Sequence, residues 1–475
     1  MVLGVFCAAA GASVAWRWSL LLAYGLPGLV VLWQLHRLLD RLWWRPRRLE
    51  RELRAQGIRG TSYRFLAGDL TRKARLNKEA WSRPLPLRCH DIAPHVAPFL
   101  SDSVREHGKV SLSWFGPIPK VTIADPDLAK HVLSNKFGHL EKPKFPALWK
   151  LLANGLSNHE GDKWVKHRRL LNPAFNLEKI KCMLPEFSAC CEELISRWME
   201  SIGSNGSCEL DVWPEIQSLT GDVISRTAFG SSYLEGRKIF QLQSEQAGRI
   251  MTNIRMILIP GYLPLPTTNN RRMYQINDEI ESILRGMETT SVLLTWTMIV
   301  LSMHPEWQDR ARQEVLGLFG KNKPEYEGLN RLKTVTMILY EVLRLYPPSI
   351  HFSRKTYKEV QIGDTKYPAG VMIELAVLFM HHDPDIWGTD VHEFKLERFA
   401  EGISKASKNP GAFLPFGWGP RICIGQNFAL LEAKMAICMI LQRFEFMLAS
   451  SYTHAPHTVV TLHPMHGAQI KLGLI

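Results

Sequence analysis

Apolar and polar positions divide the chain into an apolar head, a basic stretch and a long mixed remainder. Residues 18–35 carry no charge, and residues 2–16 are also apolar, with Arg17 between the two runs. A spanning helix needs roughly 20 apolar residues, with about 17 as the lower limit. Gly25, Pro27 and Gly28 would loosen a soluble helix yet are tolerated within membranes. The pattern predicts an uncleaved single-pass anchor over residues 1–36. A cleaved signal peptide is the alternative, but it carries its positive charge at the start, and here the charge follows the apolar run.

Residues 37–59 hold eight arginines against Asp40, Glu50 and Glu52, a net +5. Arginines after an apolar run lie on the cytosolic side, so the domain beyond them is cytosolic. Trp43 and Trp44 suit a membrane interface, and Pro46 stiffens the exit from the anchor. A solvated basic helix explains the charge of this stretch but not the paired tryptophans. Residues 37–60 thus read as a basic, proline-containing linker. Asn205-Gly206-Ser207 matches a glycosylation sequon, but on the cytosolic side it stays unmodified.

From residue 61 onward there is no low-complexity linker or repeat. Lys109–Phe115 and Lys120–Ile123 predict a hairpin turned at Gly116-Pro117, and Asp125-Pro126 starts a short helix. The pattern is mainly helical from about 162 to 350. Lys355–Ile362, Val371–Leu378, Thr458–Leu462 and Gln469–Leu472 predict strands. The fold class is mainly α with a small β part, and residues 61–475 form one large domain.

Composition adds little, but charge adds a choice. The net charge of +13 suits nucleic acid or an anionic membrane surface. Its concentration beside the apolar head favours membrane lipid, and no zinc-finger or RNA-binding signature points to nucleic acid. The eight cysteines include no C-x-x-C pair, which argues against a cysteine zinc site or a thioredoxin-like motif and fits a reducing compartment.

The most informative stretch is Phe416-Gly417-Trp418-Gly419-Pro420-Arg421-Ile422-Cys423-Ile424-Gly425. Gly417, Gly419 and Gly425 lack a Cβ, so the backbone turns sharply and approaches a flat cofactor. Cys423 is placed as a proximal ligand, and Arg421 as the partner of a haem propionate. A helix starting just after Cys423 would aim its free N–H groups at the sulfur and lower the thiol pKa. A buried structural cysteine in a glycine-rich turn is the plainer alternative.

This loop resembles the haem-binding loop of the cytochrome P-450 family, and further landmarks follow in order. Glu341-Val342-Leu343-Arg344 is similar to the family's E-x-x-R, and the segment around Arg398 resembles that of the second arginine. The resemblance implies a core network of Glu341, Arg344 and Arg398 behind the haem loop, although surface helix pairs also match such spacings. Leu396 stands where the family usually has proline, which implies a less rigid turn. Trp164 and Arg168 resemble W-x-x-x-R and share one helix face, with both within reach of a propionate. Arg354 resembles another propionate contact. Glu288-Thr289-Thr290 resembles the oxygen-activation motif, in which Glu288 and Thr289 relay protons. Gly161–Phe175 and Asn409–Ala429 look most like plant microsomal members near secologanin synthase.

One region departs from the pattern. Asn269–Gly286 resembles a distal surface helix that normally precedes the central helix by several tens of residues, and Arg285 replaces a small residue. Met273, Ile276, Ile280, Ile283 and Met287 recur at helical spacing, so one helix running into Ser291–Met303 is conceivable. The charges of the upstream half keep it near the surface, because unpaired buried charge is costly. An internal deletion near residues 286–288 is one explanation and a rerouted chain is another.

The resemblance implies a haem-thiolate monooxygenase on the endoplasmic reticulum membrane. Its cofactor would be haem b, with NADPH acting through a cytochrome reductase. Its substrate would be a small apolar molecule, terpenoid or hormone-like. The alternative is a non-catalytic or unstable haem-binding variant whose central helix is half missing.

Overall fold

The computed structural model describes residues 27–135, 138–144, 156, 159–203, 206–229, 245–246, 248–250, 253, 267–281 and 289–475. Most of the expected anchor, together with Arg285 and Glu288, lies outside the described residues.

Residues 27–39 are helical and continue through a π-helical turn, Asp40–Trp44, into α1, Arg45–Ala55. Leu29, Leu32, Trp33 and Leu35 are each at least 50% exposed. Among the described residues no helix is long and apolar enough to cross a membrane. The stretch expected as a linker is helical, because Pro46 sits in the first turn of α1, where its missing N–H costs nothing. Pro46, Leu49 and Leu53 are buried, and Tyr63 donates its hydroxyl to the Leu42 carbonyl at 2.6 Å.

The larger sheet runs in the order β1 (Arg59–Gly60), β2 (Val110–Phe115), β3 (Ile118–Ile123), β9 (Met372–Leu375), β6 (Phe352–Thr356), β4 (Leu140–Glu141). The expected hairpin is β2–β3, turned at Gly116, whose φ is +59°. Asp125 caps the next helix, Pro126–Ser134, by accepting from the Asp127 and Leu128 N–H groups.

The other expected strands differ in extent, and Thr458–Leu462 is not one strand but the bend joining two short ones, with Thr458 and Leu462 paired across it. Lys355–Ile362 divides into β6 and β7 (Val360–Ile362), the latter paired with β8 (Thr365–Tyr367). After β9 the chain turns into a short helix, Val377–His381. The C-terminal region holds β10 (Phe444–Leu448), β11 (Pro456–Thr458), β12 (Leu462–Pro464) and β13 (Gln469–Leu474). β13 lies between β10 and β5, Ser207–Asp211, a strand inside the region read as helical.

The helical core consists of α2 (Leu177–Ile202), α3 (Val212–Phe229), α4 (Thr289–Met303), α5 (Pro305–Phe319), α6 (Thr334–Leu345) and α7 (Gln426–Leu441). Every residue of α4 from Thr290 to Leu301 is buried, which marks a helix at the centre of a large core. It packs on α3, α5, α6 and α7. Trp296 stacks on Tyr346 at 4.4 Å and donates to the Leu462 carbonyl at 3.0 Å, tying α4 to the C-terminal strands. Upstream, helix Thr268–Glu281 buries Asn270, Met273 and Ile276 and exposes Arg271 and Tyr274. Over residues 268–276 the segment thus buries one face and turns the other to the surface, with Arg271 on the exposed side.

Strands β3 and β9 are cross-linked by Lys120 and Glu374, 2.6 Å apart with both side chains about nine-tenths buried. Burial alone would raise the Glu374 pKa, but Lys120 and His351 outweigh it and hold the carboxyl down at about 2, from 4.5. The pair's contribution is therefore full above pH 4.5 and is lost as pH falls toward 2. Glu374→Gln leaves Lys120 without its partner and is expected to cost about 3–5 kcal/mol. Urea unfolding at a series of pH values should show that loss, together with a flatter acid limb in the variant.

Candidate active site

The Phe416–Gly425 loop is folded by its glycines and closed by its own backbone. Gly417 and Gly419 have φ of +76° and +72°, in the left-handed region where a side chain is strained. A Cβ on Gly419 would also lie 2.7 Å from the Leu133 carbonyl oxygen. The Cys423 N–H donates to the Phe416 carbonyl at 2.9 Å, which returns the chain on itself. Phe416 is half-buried against the core, and Gly425 precedes the first residue of α7 without a side-chain cap.

Cys423 is exposed along one face, although protein crowds the rest of it. Burial pushes the thiol pKa up, and this exceeds the lowering by the Gly425 N–H and by Arg168. The expectation that the helix end lowers this pKa is thereby corrected. A metal ion at the sulfur would displace the proton directly, since a coordinating thiol is deprotonated outright.

The helix Gly161–Leu171 packs its predicted pair against this loop. Arg168 donates to the Ile422 carbonyl at 2.9 Å, and Trp164 is buried beneath two guanidinium groups, Arg421 at 4.6 Å and Arg168 at 6.0 Å. Leu170 and Leu171 on this helix, and Ile422 on the loop, stay exposed at 69%, 40% and 37%. Of these, Ile422 adjoins the thiol in the chain, and an apolar side chain left open there suits a flat apolar cofactor.

Charge supplies a stronger criterion. Arg421 pairs with Glu160 and donates to the His159 carbonyl at 3.0 Å. Glu160 also accepts the Lys142 N–H at 3.1 Å. Arg354, on β6, is buried, and among the described residues its guanidinium bonds only to the Ser353 carbonyl. Burial, then Arg421, lowers the Arg354 pKa to about 10. Burial, then Arg354 and Arg421, lowers that of Lys142 to about 8. Arg354, Arg421 and Lys142 thus gather around Glu160, with Glu141 also acting on Arg421, and this cationic cluster suits a ligand with two carboxylates. Haem, with two propionates and an iron that takes a thiolate, fits this donor set. Sequence reasoning overlooked Lys142 and Glu160; Lys142 directly follows β4, whose pairing with β6 brings it near Arg354.

Behind the loop, Glu341 and Arg344 are fully buried on α6 and paired at 2.6 and 2.8 Å. Arg344 also donates to the His381 and Val391 carbonyls at 3.0 and 2.7 Å. Arg398 lies 3.6 Å from Glu341 and pairs with Asp390 at 2.7 Å. Leu396, in the proline position, is fully buried and opens the 3-10 turn carrying Arg398, so core packing holds that turn. The His381 ring accepts the Leu414 N–H at 2.9 Å, two residues before the loop. Burial and Arg344 lower the His381 pKa to about 3, leaving the ring neutral and able to accept. Thr289 opens α4 at an exposed position, Thr290 beside it is buried, and Glu288 is outside the described residues.

The cytochrome P450 family model matches residues 92–285 and 280–466. The chain belongs to the cytochrome P450 family. Family membership gives it haem as cofactor and monooxygenase chemistry. Cytochrome P450 CYP72A616 of Paris polyphylla is 53% identical over 93% of this chain and 96% of its own length. Cytochrome P450 72A15 of Arabidopsis thaliana is 47% identical with the same coverage of both chains. The 11-oxo-beta-amyrin 30-oxidase of Glycyrrhiza uralensis is 46% identical, again over 93% and 96%. With the Paris relative, 93% of 475 residues, about 442, are spread over 496 aligned positions, so about 54 positions have no counterpart in this P450. The two family matches meet at residues 280–285.

Arg344→Met is expected to cost about 3–5 kcal/mol, since it leaves the Glu341 carboxylate buried without its main partner. The double variant Glu341→Met with Arg344→Met should recover part of that loss. Thermal unfolding of both variants checks the prediction.

Proposed function

We propose that this P450 takes electrons from an NADPH-dependent cytochrome reductase and oxidises a small apolar, terpenoid- or hormone-like molecule. The observation carrying the reading is the open thiol of Cys423 beside the surplus of cations around Glu160. The named activity of the Glycyrrhiza relative, on 11-oxo-beta-amyrin, fits that substrate class.

Cys423 serves as the iron ligand, and Phe416, Gly417, Gly419 and Gly425 shape the loop that presents it. Arg421, Arg354, Arg168 and Trp164 hold the propionate edge, and Lys142 joins them. Glu341, Arg344 and Arg398 brace the loop from behind. Haem bound here supplies dioxygen activation, and the thiolate favours O–O cleavage. Thr289, assisted by Glu288, handles the protons this chemistry consumes: a threonine hydroxyl both accepts and donates, so it passes a proton without holding charge.

The protein is anchored in the endoplasmic reticulum membrane by its amino-terminal helix, with the catalytic domain cytosolic. Support comes from the exposed apolar side chains of Leu29, Leu32, Trp33 and Leu35 followed by the arginine-rich stretch. We read the 54-position difference as an internal deletion ahead of Thr289; the break between the two family matches at residues 280–285 supports that reading.

The purified full chain, reduced and exposed to carbon monoxide, is expected to give a strongly red-shifted thiolate Soret band. With reductase and NADPH it should turn over an apolar substrate. Cys423→Ala should abolish the band, and its persistence would remove Cys423 as ligand. A band without turnover would make the protein a non-catalytic haem carrier, and a chain that takes up no haem would overturn both.

A further inference from the structure

A second candidate ligand set lies apart from the thiolate loop. Asp91, His382 and His392 bring one ligand atom each to within 4.8 Å of one another. The three residues belong to separate segments. Asp91 precedes the short helix Ala93–Val96, His382 ends the helix Val377–His381, and His392 follows Asp390, the partner of Arg398.

The His382 ring is already held in one orientation. Its Nε2–H donates to the Leu345 carbonyl at 3.0 Å, which fixes the tautomer and leaves the lone pair on Nδ1. That Nδ1 is buried and has no hydrogen-bond partner, in a residue only 6% exposed. A metal-bound imidazole typically shows this arrangement, with one nitrogen tied to a carbonyl and the other free for the ion. The His392 Nδ1 is likewise buried without a hydrogen bond, and the Asp91 carboxylate stands 3.8 Å from it, too far for one. The gathered residues thus include two rings that each carry an orphaned Nδ1, beside one carboxylate, and a buried nitrogen normally finds a partner.

The electrostatics are permissive. Burial, then Arg344, holds His382 well below its usual pKa, and His392 is lowered by burial and Arg344 despite Asp91. Both shifts favour the neutral imidazole, the form that binds metal. The cation facing the cluster is Arg344, whose charge Glu341 neutralises at 2.6 Å.

We propose that Asp91, His382 and His392 bind a divalent transition-metal ion of the zinc class, with water completing the shell. Two imidazoles and one carboxylate suit that class, at metal–ligand distances of about 2.0–2.2 Å. Ligands spread over 4.8 Å must draw together, and the His392 and Asp91 side chains, 40% and 46% exposed, have room to do so. Once bound, the ion staples the segment before Ala93–Val96 to the chain that supports Arg398.

The full-length protein is dialysed against zinc chloride, and retained metal is counted by elemental analysis. Wild type is expected to retain one more zinc per chain than Asp91→Asn or His392→Gln. Its unfolding temperature should rise with added zinc, and those of the variants should not. Loss of a direct ligand should weaken binding at least as much as the roughly 10–100-fold seen for outer-shell changes. Asp91→Asn is isosteric and partly exposed, so its metal-free unfolding temperature should match wild type and separate lost binding from misfolding. Equal zinc retention and equal stabilisation in wild type and both variants would overturn the site.

Discussion

A carboxylate and a guanidinium, both fully withdrawn from water, organise the half of the molecule that carries the thiol. Glu341 and Arg344 each lose their hydration, and only close pairing and complete hydrogen bonding make that tolerable. Arg344 meets the demand by giving two donors to Glu341 and others to the His381, Val391 and Glu393 carbonyls. The first ends the short helix Val377–His381, and the other two belong to irregular chain with no sheet or helix to receive them. One planar side chain thus replaces a ladder of backbone bonds. Arg398 extends the arrangement through the Trp387 carbonyl and Asp390, and His381 passes it on to Leu414. The segment from 381 to 425 holds its shape because these donors are aimed at it.

The cations on the other side of the loop follow an opposite logic. Arg344 is neutralised within the protein, whereas Arg354, Arg421 and Lys142 share Glu160 and retain surplus positive charge. Burial first, and the neighbouring cations second, lower the pKa of Arg354 and Lys142, so holding both charged works against folding. A dianionic ligand reverses that sign and stabilises the fold on binding. The same loop is therefore braced by a neutral, fully bonded pair behind and flanked by a cluster of cations in front, and the cationic side suits an anionic ligand.

Much of this was legible in the sequence where the causes are local. The glycines around Cys423, the three-residue spacing of Glu341 and Arg344, and the four-residue spacing of Trp164 and Arg168 each encode geometry within one turn or loop. The hairpin at Gly116 and the Asp125 cap were readable for the same reason. β5 was not, because Ser207–Asp211 becomes a strand only by pairing with β13, more than 250 residues later. The gathering of Lys142, Glu160 and Arg354, and of Asp91 with His382 and His392, likewise depends on tertiary placement that no periodicity reveals. The thiol pKa was misjudged because a helix end can be inferred from sequence, but the burial that outweighs it cannot.

The seam ahead of Thr289 bears on function through what it leaves independent. Helix Thr268–Glu281 is held by partners close in sequence: Arg272 pairs with Glu245, and Gln246 donates to the Met273 carbonyl. α4 is held by α3, α5, α6 and α7 and by the Trp296 bond to Leu462. The two sides of the seam thus have separate supports among the described residues. The bracing of the Cys423 loop runs through α6 and its bonded carbonyls, and it does not pass through the seam. A change of length there can alter how Thr289 and its neighbours approach the cofactor while leaving the thiol and its cations in place. On the roles proposed for Cys423 and Thr289, cofactor capture and proton delivery are therefore separable, carried by different parts of the fold.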